Sequence, residues 1–439
     1  MIFSDSIVAL SSGRLPAGVA VIRVSGSTTR FVVETIAGIL PEPRVATFRR
    51  LRDADGCTID HGIVLFFPGP DSFTGEDVAE FQVHGGKASV SALLDRLTAF
   101  EGVRHAEAGE FTRRAFLNGK LDLPQTEALA DLINAETEAQ RRFAVGNADG
   151  AQGRLYQIWR KRLIHARAMI EAEIDFADED DVPGSVADAV TADIGILMGE
   201  IESHIEGFRA AEIIRDGFEV VILGPPNAGK SSLLNALARR DVAIVTDEPG
   251  TTRDLLEVSL DLSGLYVRIV DTAGLREVAG MVETIGIERA KARARDAHLV
   301  LLLHDMAGSD QVDPAGVGSA PVLQIGTKSD LEPSGRDRSY DLVLSARTGV
   351  GLAELTDEIA RRARAQVESA GDILPSRLRH VELLRDTLGF LGQAVERYEE
   401  REVQAEMLRL ATDRLGRIVG AVDVEDLLDV IFGQFCIGK

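Results

Sequence analysis

The sequence predicts a multidomain fold: an α/β domain at the N-terminus, an all-α domain in two halves, and a P-loop α/β domain inserted between those halves. Three observations carry this. Gly224-Pro225-Pro226-Asn227-Ala228-Gly229-Lys230-Ser231 fits G-x-x-x-x-G-K-[ST] and stands between a short apolar run, Phe218 to Leu223, and a helix-like stretch from Ser232. The first 118 residues alternate short apolar runs with turn residues. On both sides of the P-loop region, apolar residues recur at the spacing of long helices.

With 439 residues, the chain has room for two to four domains. It is 45% hydrophobic and 27% charged, a globular balance. No apolar run approaches the ~20 residues of a membrane helix, so no membrane partner is expected. Met1-Ile2-Phe3-Ser4-Asp5 lacks a basic stretch followed by an apolar core, and no secretory signal is expected. Cys57 and Cys436 do not make a disulfide framework, which points to a reducing cytoplasm. The formal net charge of −22 excludes nucleic-acid binding by overall charge. An RNA partner would need a local basic patch or a basic companion protein. The acidity also fits an acidic or salt-adapted proteome.

Residues 1–118 form the expected N-terminal domain. Ser6 to Leu10 and Gly18 to Val24 read as strands, and Thr28 to Ile39 as a helix. Ala46 to Leu51 and Thr58 to Phe67 flank Asp53-Ala54-Asp55-Gly56, a hairpin turn. Asp77 to His84 is a further strand stopped by Gly85-Gly86, and Lys87 to Phe100 has helical spacing. Arg23 and Glu80 each interrupt an apolar strand, as a solvent-facing residue or a ligand contact would. His84 has the same two readings, structural or ligating.

Residues 119–215 are expected as the first half of the helical domain. Leu121 to Asn134 is one helix, and Leu155, Trp159, Leu163, Ala166 and Ile170 mark the buried stripe of another. Asp175 to Pro183 is an acidic break, followed by a helix with Ile194, Leu197, Ile201, Ile205 and Phe208 on one face. Residues 216–371 are the P-loop domain, and residues 372–439 the second helical half. There Val381, Leu384, Leu388, Leu391, Val395 and Tyr398 form one stripe. An insertion of this kind suits a switch, because movement at the phosphates can pass to helices on both sides.

The P-loop chemistry is specific. Successive N–H groups from Asn227 through Ser232 and the following helix N-terminus face the phosphates. Lys230 reaches the outer phosphates, and the Ser231 hydroxyl holds Mg²⁺. Four further segments follow in the order a GTPase requires. Thr246-Asp247-Glu248-Pro249-Gly250-Thr251-Thr252 is a loop from which Thr252 can reach Mg²⁺ and sense the γ-phosphate. Asp271-Thr272-Ala273-Gly274 follows a strand; Asp271 can hold Mg²⁺ through water, and the Gly274 N–H can contact the γ-phosphate. Thr327-Lys328-Ser329-Asp330 follows another strand, and Asp330 can accept from guanine N1–H and N2–H₂, a donor pair adenine lacks. Ser345-Ala346-Arg347 can present an N–H to guanine O6. The base motif usually begins with asparagine; threonine keeps a side-chain oxygen but lacks the amide that braces the loop. Leu275 stands where many GTPases place a water-orienting glutamine. Glu283 is a candidate substitute, or else a solvated carboxylate at a helix start.

These residues resemble a known family. Gly224 to Asn235, Gly250-Thr251-Thr252-Arg253-Asp254, Asp271 to Glu277 and Ile285 to Ala290 are similar to the MnmE (TrmE) family of tRNA-modification GTPases. So are Ser72 to Asp77, His84-Gly85-Gly86, Gly109 to Thr112, Arg114 to Asn118, Lys120 to Leu123 and the terminal Phe435-Cys436-Ile437-Gly438-Lys439. The resemblance covers essentially the whole chain. It implies an N-terminal folate-binding domain, a discontinuous helical domain and an inserted Ras-like domain. It implies a homodimer built through the N-terminal domains. It also implies the FAD-dependent partner MnmG, with which a carboxymethylaminomethyl-type group is placed on the wobble uridine of certain tRNAs. Arg23, Glu80, Lys120 and Lys439 resemble contacts to 5-formyltetrahydrofolate. Asn227 resembles a K⁺ ligand, helped by Thr246, Glu248 and Thr251. Glu283 resembles the carboxylate that organises the hydrolytic water. Gly13 to Gly18 lacks the family's usual run of glycines. Cys436 reads equally as a small buried hydrophobe or as a functional thiol near the one-carbon unit. A ribosome-assembly or RNA-binding GTPase is the alternative, but such proteins lack the tail and the Phe73 to Asp77 segment. A folate-dependent methyltransferase with a regulatory GTPase is the other.

Overall fold

The computed structural model describes residues 3–175, 186–244, 257–271, 293–308, 320–331, 339–368, 371 and 373–421, and positions 428, 431, 432, 435 and 438. The chain divides into two compact units. One is Met1–Ala130 with Ala148–Ala168 and Ala405–Lys439; the other is Asp131–Asn147 with Met169–Gln404. Among the described residues no helix is long and apolar enough to cross a membrane.

The first unit is built on β1 (Ser6–Leu10), β2 (Ala17–Ser25), α1 (Thr29–Ala37), β3 (Thr47–Arg52), β4 (Thr58–Phe67), β5 (Val78–Gly85), α2 (Lys87–Thr98), β6 (Val103–His105) and α3 (Glu110–Leu117). The six strands form one sheet in the order β3-β4-β5-β2-β1-β6, antiparallel except for the β1–β6 pair. Alternation decides which face each residue takes. Ile22, Val24, Val64, Phe66, Phe81 and Val83 point to one face, where Val32, Val33 and Ile36 of α1 and Leu93 and Leu97 of α2 close the core. Arg23 and Glu80 fall out of step with that set and are paired in register on the other face. The β3–β4 turn works as its sequence predicts: the Asp53 carboxylate accepts from the N–H groups of Asp55 (3.0 Å) and Cys57 (2.8 Å). The short strand β6, which has no alternation to announce it, pairs with β1 in parallel.

Helices follow: α4 (Leu123–Asn134), α5 (Glu138–Ala148) and α6 (Ala151–Asp175). A capping box opens α4. The Asp122 carboxylate accepts from Gln125 N (2.8 Å), and Gln125 Oε1 accepts from Asp122 N (3.0 Å). On α6 the buried stripe holds Tyr156, Trp159, Leu163 and Ala166, with Tyr156 in place of the expected Leu155. Leu123 packs with Leu428, Ile431, Phe432 and Phe435, beside Phe116 and Leu117. The chain's last described residues are therefore seated on its early part.

The second unit contains α7 (Val186–Glu206), α8 (Phe208–Asp216), β7 (Phe218–Leu223), α9 (Lys230–Ala238), β8 (Glu257–Leu262), β9 (Leu265–Asp271), β10 (Leu299–Asp305), β11 (Val322–Thr327), β12 (Leu342–Val343), α10 (Leu352–Val367) and α11 (Leu378–Glu396); α12 (Arg401–Ile418) follows. Its sheet runs β12-β11-β10-β7-β9-β8, parallel except for β8. Phe218, Val220 and Ile222 of β7 enter one core, while Val221 packs with Ala294, Ala297 and Val300 on the other side. Burial on both faces is why this strand reads as an unbroken apolar run. Strand order reverses at β7, and the chain leaves β7 directly into the P-loop; that is the switch point at which parallel α/β sheets bind ligands.

Two helical expectations are corrected. The stripe of Ile194, Leu197 and Ile201 is buried on α7, but the helix stops at Glu206, and Phe208 opens the separate helix α8. Gly207 permits the break, since a Cβ there would meet Leu374 Cδ2 at 2.7 Å. On α11, Val381, Leu384 and Leu391 are buried, whereas Tyr398 lies past the helix end and is 41% exposed. Arg377 at the start of α11 makes a two-bond ion pair with Asp131 (2.9 and 2.7 Å). The acidic break expected at Asp175 to Pro183 lies, beyond Asp175, outside the described residues.

Candidate functional site

The P-loop connects β7 to α9. Gly224 has φ 157°, and a Cβ there would meet Leu303 O at 2.8 Å, so only glycine lets the loop pass beside β10. Asn227 has φ 63°, is exposed and turns the loop back. Gly229 precedes α9, and the helix N-terminus faces the loop. The Lys230 ammonium donates to Gly224 O and Pro225 O, both at 2.9 Å. The loop's own carbonyls therefore hold the cation where phosphate oxygens would compete for it. Ser231 Oγ donates to Asp271 Oδ2 at 3.3 Å, and Asp271 is 3% exposed at the end of β9. The structure thus brings together Lys230, Ser231 and Asp271, with Ala228 buried beneath and Ser232 on the first turn of α9.

The base end is knitted from two loops. Lys328 takes φ 61° and donates to Asp305 Oδ2 (2.6 Å). Ser345 Oγ donates to Asp330 Oδ1 (2.6 Å), and this hydrogen bond holds the Asp330 carboxyl below its usual range. Asp330 is thereby fixed as an ionised acceptor. Ser345 Oγ accepts from Thr348 N (3.2 Å), Ala346 is half-buried, and Arg347 is mostly exposed with Nη1 3.9 Å from Asp330 Oδ2. Thr327 departs from expectation. Its hydroxyl does brace the phosphate loop, at 2.7 Å from Ala228 O, and also lies 3.0 Å from His304 O.

Several predicted residues lie outside the described ones: Thr246, Asp247, Glu248, Pro249, Gly250, Thr251 and Thr252 of the first loop, Thr272, Ala273 and Gly274 after β9, Glu283, Cys436 and Lys439.

A second cluster sits on the open face of the N-terminal sheet. Arg23 Nε and Nη2 both donate to Glu80 Oε1 (3.1 and 2.9 Å), so the two residues expected to touch a ligand are partners of one another. The guanidinium also lies over the rings of Phe73 (5.5 Å) and Phe111 (5.7 Å). Lys120 is exposed, and its stem runs past Gly75, where a Cβ would be 3.4 Å from Lys120 Cγ. The segment from Ser72 to Asp77 thus touches Arg23 through Phe73 and Lys120 through Gly75. The tail approaches the same sheet: Ser11 Oγ donates to Gly438 O (2.8 Å), and Gly438, at φ 102°, lies against Leu10 O where no Cβ fits. His84 has an ordinary structural partner, with Nδ1 2.9 Å from Asp60 Oδ1.

Sequence reading missed the support beneath this cluster. Arg114, fully buried, donates to Glu76 (3.2 Å to each oxygen), Glu110 (3.1 Å), Asp5 Oδ1 (2.8 Å) and Asp5 O (3.0 Å). Glu76 also accepts from Ser25 (2.8 Å), and Asn118 Nδ2 donates to Thr74 O (2.7 Å). Burial pushes the Glu110 carboxyl up, but hydrogen bonds from Arg104, Glu107 N and Arg114 outweigh it and leave the pKa lowered. The signal was available in the two polar motifs around Glu76 and Arg114, but only the fold shows that they meet.

A P-loop at the switch point, a carboxylate at the end of the neighbouring strand and an aspartate-serine pair at the base end define a P-loop GTPase of Ras-like topology. Known proteins carry the assignment further. Residues 6–120 match the model for the GTP-binding protein TrmE N-terminus, and residues 123–436 that for the MnmE helical domain. Over 444 residues the chain is 66% identical to the tRNA modification GTPase MnmE of Mesorhizobium japonicum, covering 100% of both chains. It is 56% identical to that of a Chelativorans species, covering 99% of this chain and 98% of the relative. It is 54% identical to that of Rhizobium meliloti, covering 100% of both. Among solved structures, the G domain of the T. maritima FeoB iron transporter aligns with 33% of this chain and 98% of its own at 27% identity and a TM-score of 0.26. The chain belongs to the MnmE family of tRNA modification GTPases.

Proposed function

We propose that the chain is a potassium-activated GTP hydrolase. With an FAD-dependent partner of the MnmG type, it adds a carboxymethylaminomethyl-type group to C5 of the wobble uridine of certain tRNAs. The observation that carries this reading is the convergence of Lys230, the Ser231–Asp271 pair and the Asp330–Ser345 pair at the strand ends of one sheet. The family of the whole chain supplies the tRNA context. The acidic chain leaves much of the RNA binding to the partner.

In this reading Lys230 exchanges its loop carbonyls for phosphate oxygens. Ser231 and Asp271 offer hard oxygen donors 3.3 Å apart, a set that suits Mg²⁺; bound there, the ion would neutralise phosphate charge. Thr252 is assigned to the same ion. Asp330 accepts from the guanine N1–H and N2–H₂, and the backbone after Ser345 meets O6. Asn227, exposed on the loop and carrying an amide oxygen, suits K⁺, with Thr246, Glu248 and Thr251 closing over it. That ion would place positive charge beside the phosphates, where other GTPases use an arginine. Glu283 is assigned to orienting the attacking water, since Leu275 cannot.

The N-terminal cluster is proposed to hold 5-formyltetrahydrofolate. Both Arg23 bonds fall on Glu80 Oε1, so Oε2 is placed to accept from pteridine N–H groups. Lys120 and Lys439 would meet the glutamate tail. The working species is proposed to be a cytoplasmic homodimer joined through the N-terminal domains, with Cys436 near the one-carbon unit.

The deciding experiment is mass spectrometry of tRNA nucleosides from cells lacking the protein. Unchanged wobble uridines would overturn the reading. GTP turnover is expected to rise steeply when Na⁺ is replaced by K⁺, and equal rates would remove the cation. Glu283→Ala is expected to abolish turnover while GTP affinity survives; full activity would return Glu283 to the solvent.

A further inference from the structure

The base motif of this chain begins with threonine, and the structure gives that threonine a task. Thr327 ends β11 and is 3% exposed. Its backbone is fixed by β10, through the Asp305–Thr327 register and the bond from Met306 N to Thr327 O (3.1 Å). Its side chain faces the phosphate loop, where a Cβ on Gly229 would lie 3.9 Å from Thr327 Oγ1 and 4.0 Å from its Cβ. The hydroxyl stands between two carbonyls, Ala228 O at 2.7 Å and His304 O at 3.0 Å. A hydroxyl has one proton. It can serve one of those carbonyls well at any moment, and the other receives less.

We infer that Thr327 is a positioning residue that ties the base-recognition loop to the phosphate loop through Ala228, and that its single shared proton limits how tightly the guanine nucleotide is held. The inference rests on the reading of this site as a guanine-nucleotide site and adds to it. Thr327 does not read the base; Asp330 does. It sets the distance between the loop that holds the base and the loop that holds the phosphates. Both loops must be correct at once for one nucleotide to span them. An asparagine amide would bring two N–H donors to the same pair of carbonyls. The threonine is thus a tether with one bond fewer than the motif usually provides.

The test uses the full-length protein and fluorescent GDP. Thr327→Val keeps the shape and removes the proton; the dissociation constant is expected to rise roughly 10-fold, the upper range for one hydrogen bond. Thr327→Ser keeps the hydroxyl and is expected to stay within about 2-fold of the parent. Thr327→Asn is expected to bind roughly 3-fold more tightly. In turnover the loss in Thr327→Val falls on KM more than on kcat. The ratio of GDP to IDP affinity is expected to hold in all three, because the N2 amine is read by Asp330. Unaltered GDP affinity in Thr327→Val overturns the tether. A Thr327→Asn variant with the parent's melting temperature that binds no more tightly overturns the shared-proton limit. A changed GDP to IDP ratio moves Thr327 into base recognition and also overturns the inference. Failure of the parent protein to bind GDP would instead overturn the nucleotide reading, so the two failures are distinct.

Discussion

The N-terminal cluster and the nucleotide site hold polar groups in opposite ways. On the open face of the N-terminal sheet, side chains 57 positions apart meet because two strands are in register, and charge is balanced by charge: Arg23 with Glu80, and Arg114 with Glu76 and Glu110. At the strand ends of the second sheet, main-chain carbonyls and short hydroxyl bonds do the holding: Lys230 on two loop carbonyls, Thr327 on two more, and Ser345 on Asp330. A site made of opposed charges fails when one partner is removed, because the other stays desolvated and unpaired. A site made of backbone fails through the shape of its loop and tolerates more change at individual side chains. The comparison therefore predicts where single substitutions should cost stability and where they should cost only binding.

The largest effect is expected at Arg114. Arg114→Ala leaves two buried carboxylates facing each other without their cation, a loss of about 3–5 kcal/mol. Urea unfolding would measure it, and a loss below about 1 kcal/mol would mean that the network relaxes or admits water.

Acid should separate the two regions next. In the second unit, burial holds the His204 imidazole down at about 4, opposed by a hydrogen bond with the Ile373 backbone. The unfolded imidazole titrates near 6.5. Between those values the unfolded chain binds more protons, so stability falls as pH drops through that window, by about 3 kcal/mol in all. The lowered Glu110 carboxyl of the first unit has the depressed-acid sign: its contribution is present above the unfolded carboxylate range and is lost as pH falls through its folded value. Hydrogen exchange across pH 7 to 4 should therefore show helix α7 loosening before α3. His204→Leu should flatten the pH dependence, and simultaneous loosening in the parent protein would contradict the contrast.

Lys230→Ala should weaken GTP binding by ~100-fold, the worth of charge-assisted bonds to phosphate. The melting temperature and any folate affinity should remain. A variant that binds GTP normally would overturn the P-loop assignment. The smallest effect is expected at the half-buried pair. Arg23→Ala and Glu80→Ala should each cost about 1–2 kcal/mol, and the double variant little more than either alone. Each single variant should lose folate affinity by calorimetry with GTP affinity untouched. Equal folate affinity would leave the pair a structural tie only.

How far each site was legible follows the same division. The P-loop, Asp271, Asp330 and Ser345 stood out because each is a short contiguous signature whose chemistry needs a strand end and a loop. The Thr327 brace was not legible, since its partner, Ala228, is 99 positions away. Arg23 and Glu80 were visible as interruptions in apolar strands, but not as partners. Helix stripes were legible along α6, α7 and α11, yet the break at Gly207 was not. It depends on Leu374, which arrives from far along the chain.

By itself the sequence determined the local structure: alternation that assigns strand faces, the capping box at Asp122 and Gln125, the Asp53 turn, the glycines that shape the P-loop, and the order of the nucleotide motifs. These act over a few residues, where propensity and spacing suffice. Only the tertiary structure decided which charges balance which, that the hydroxyl of Thr327 reaches the phosphate loop, and that Gly438 lies beside Leu10 and Ser11 at the far end of the numbering. The physical reason is that ion pairs and hydrogen bonds are set by distance in space. Distance in space between remote segments is fixed by register and packing, which no local pattern encodes.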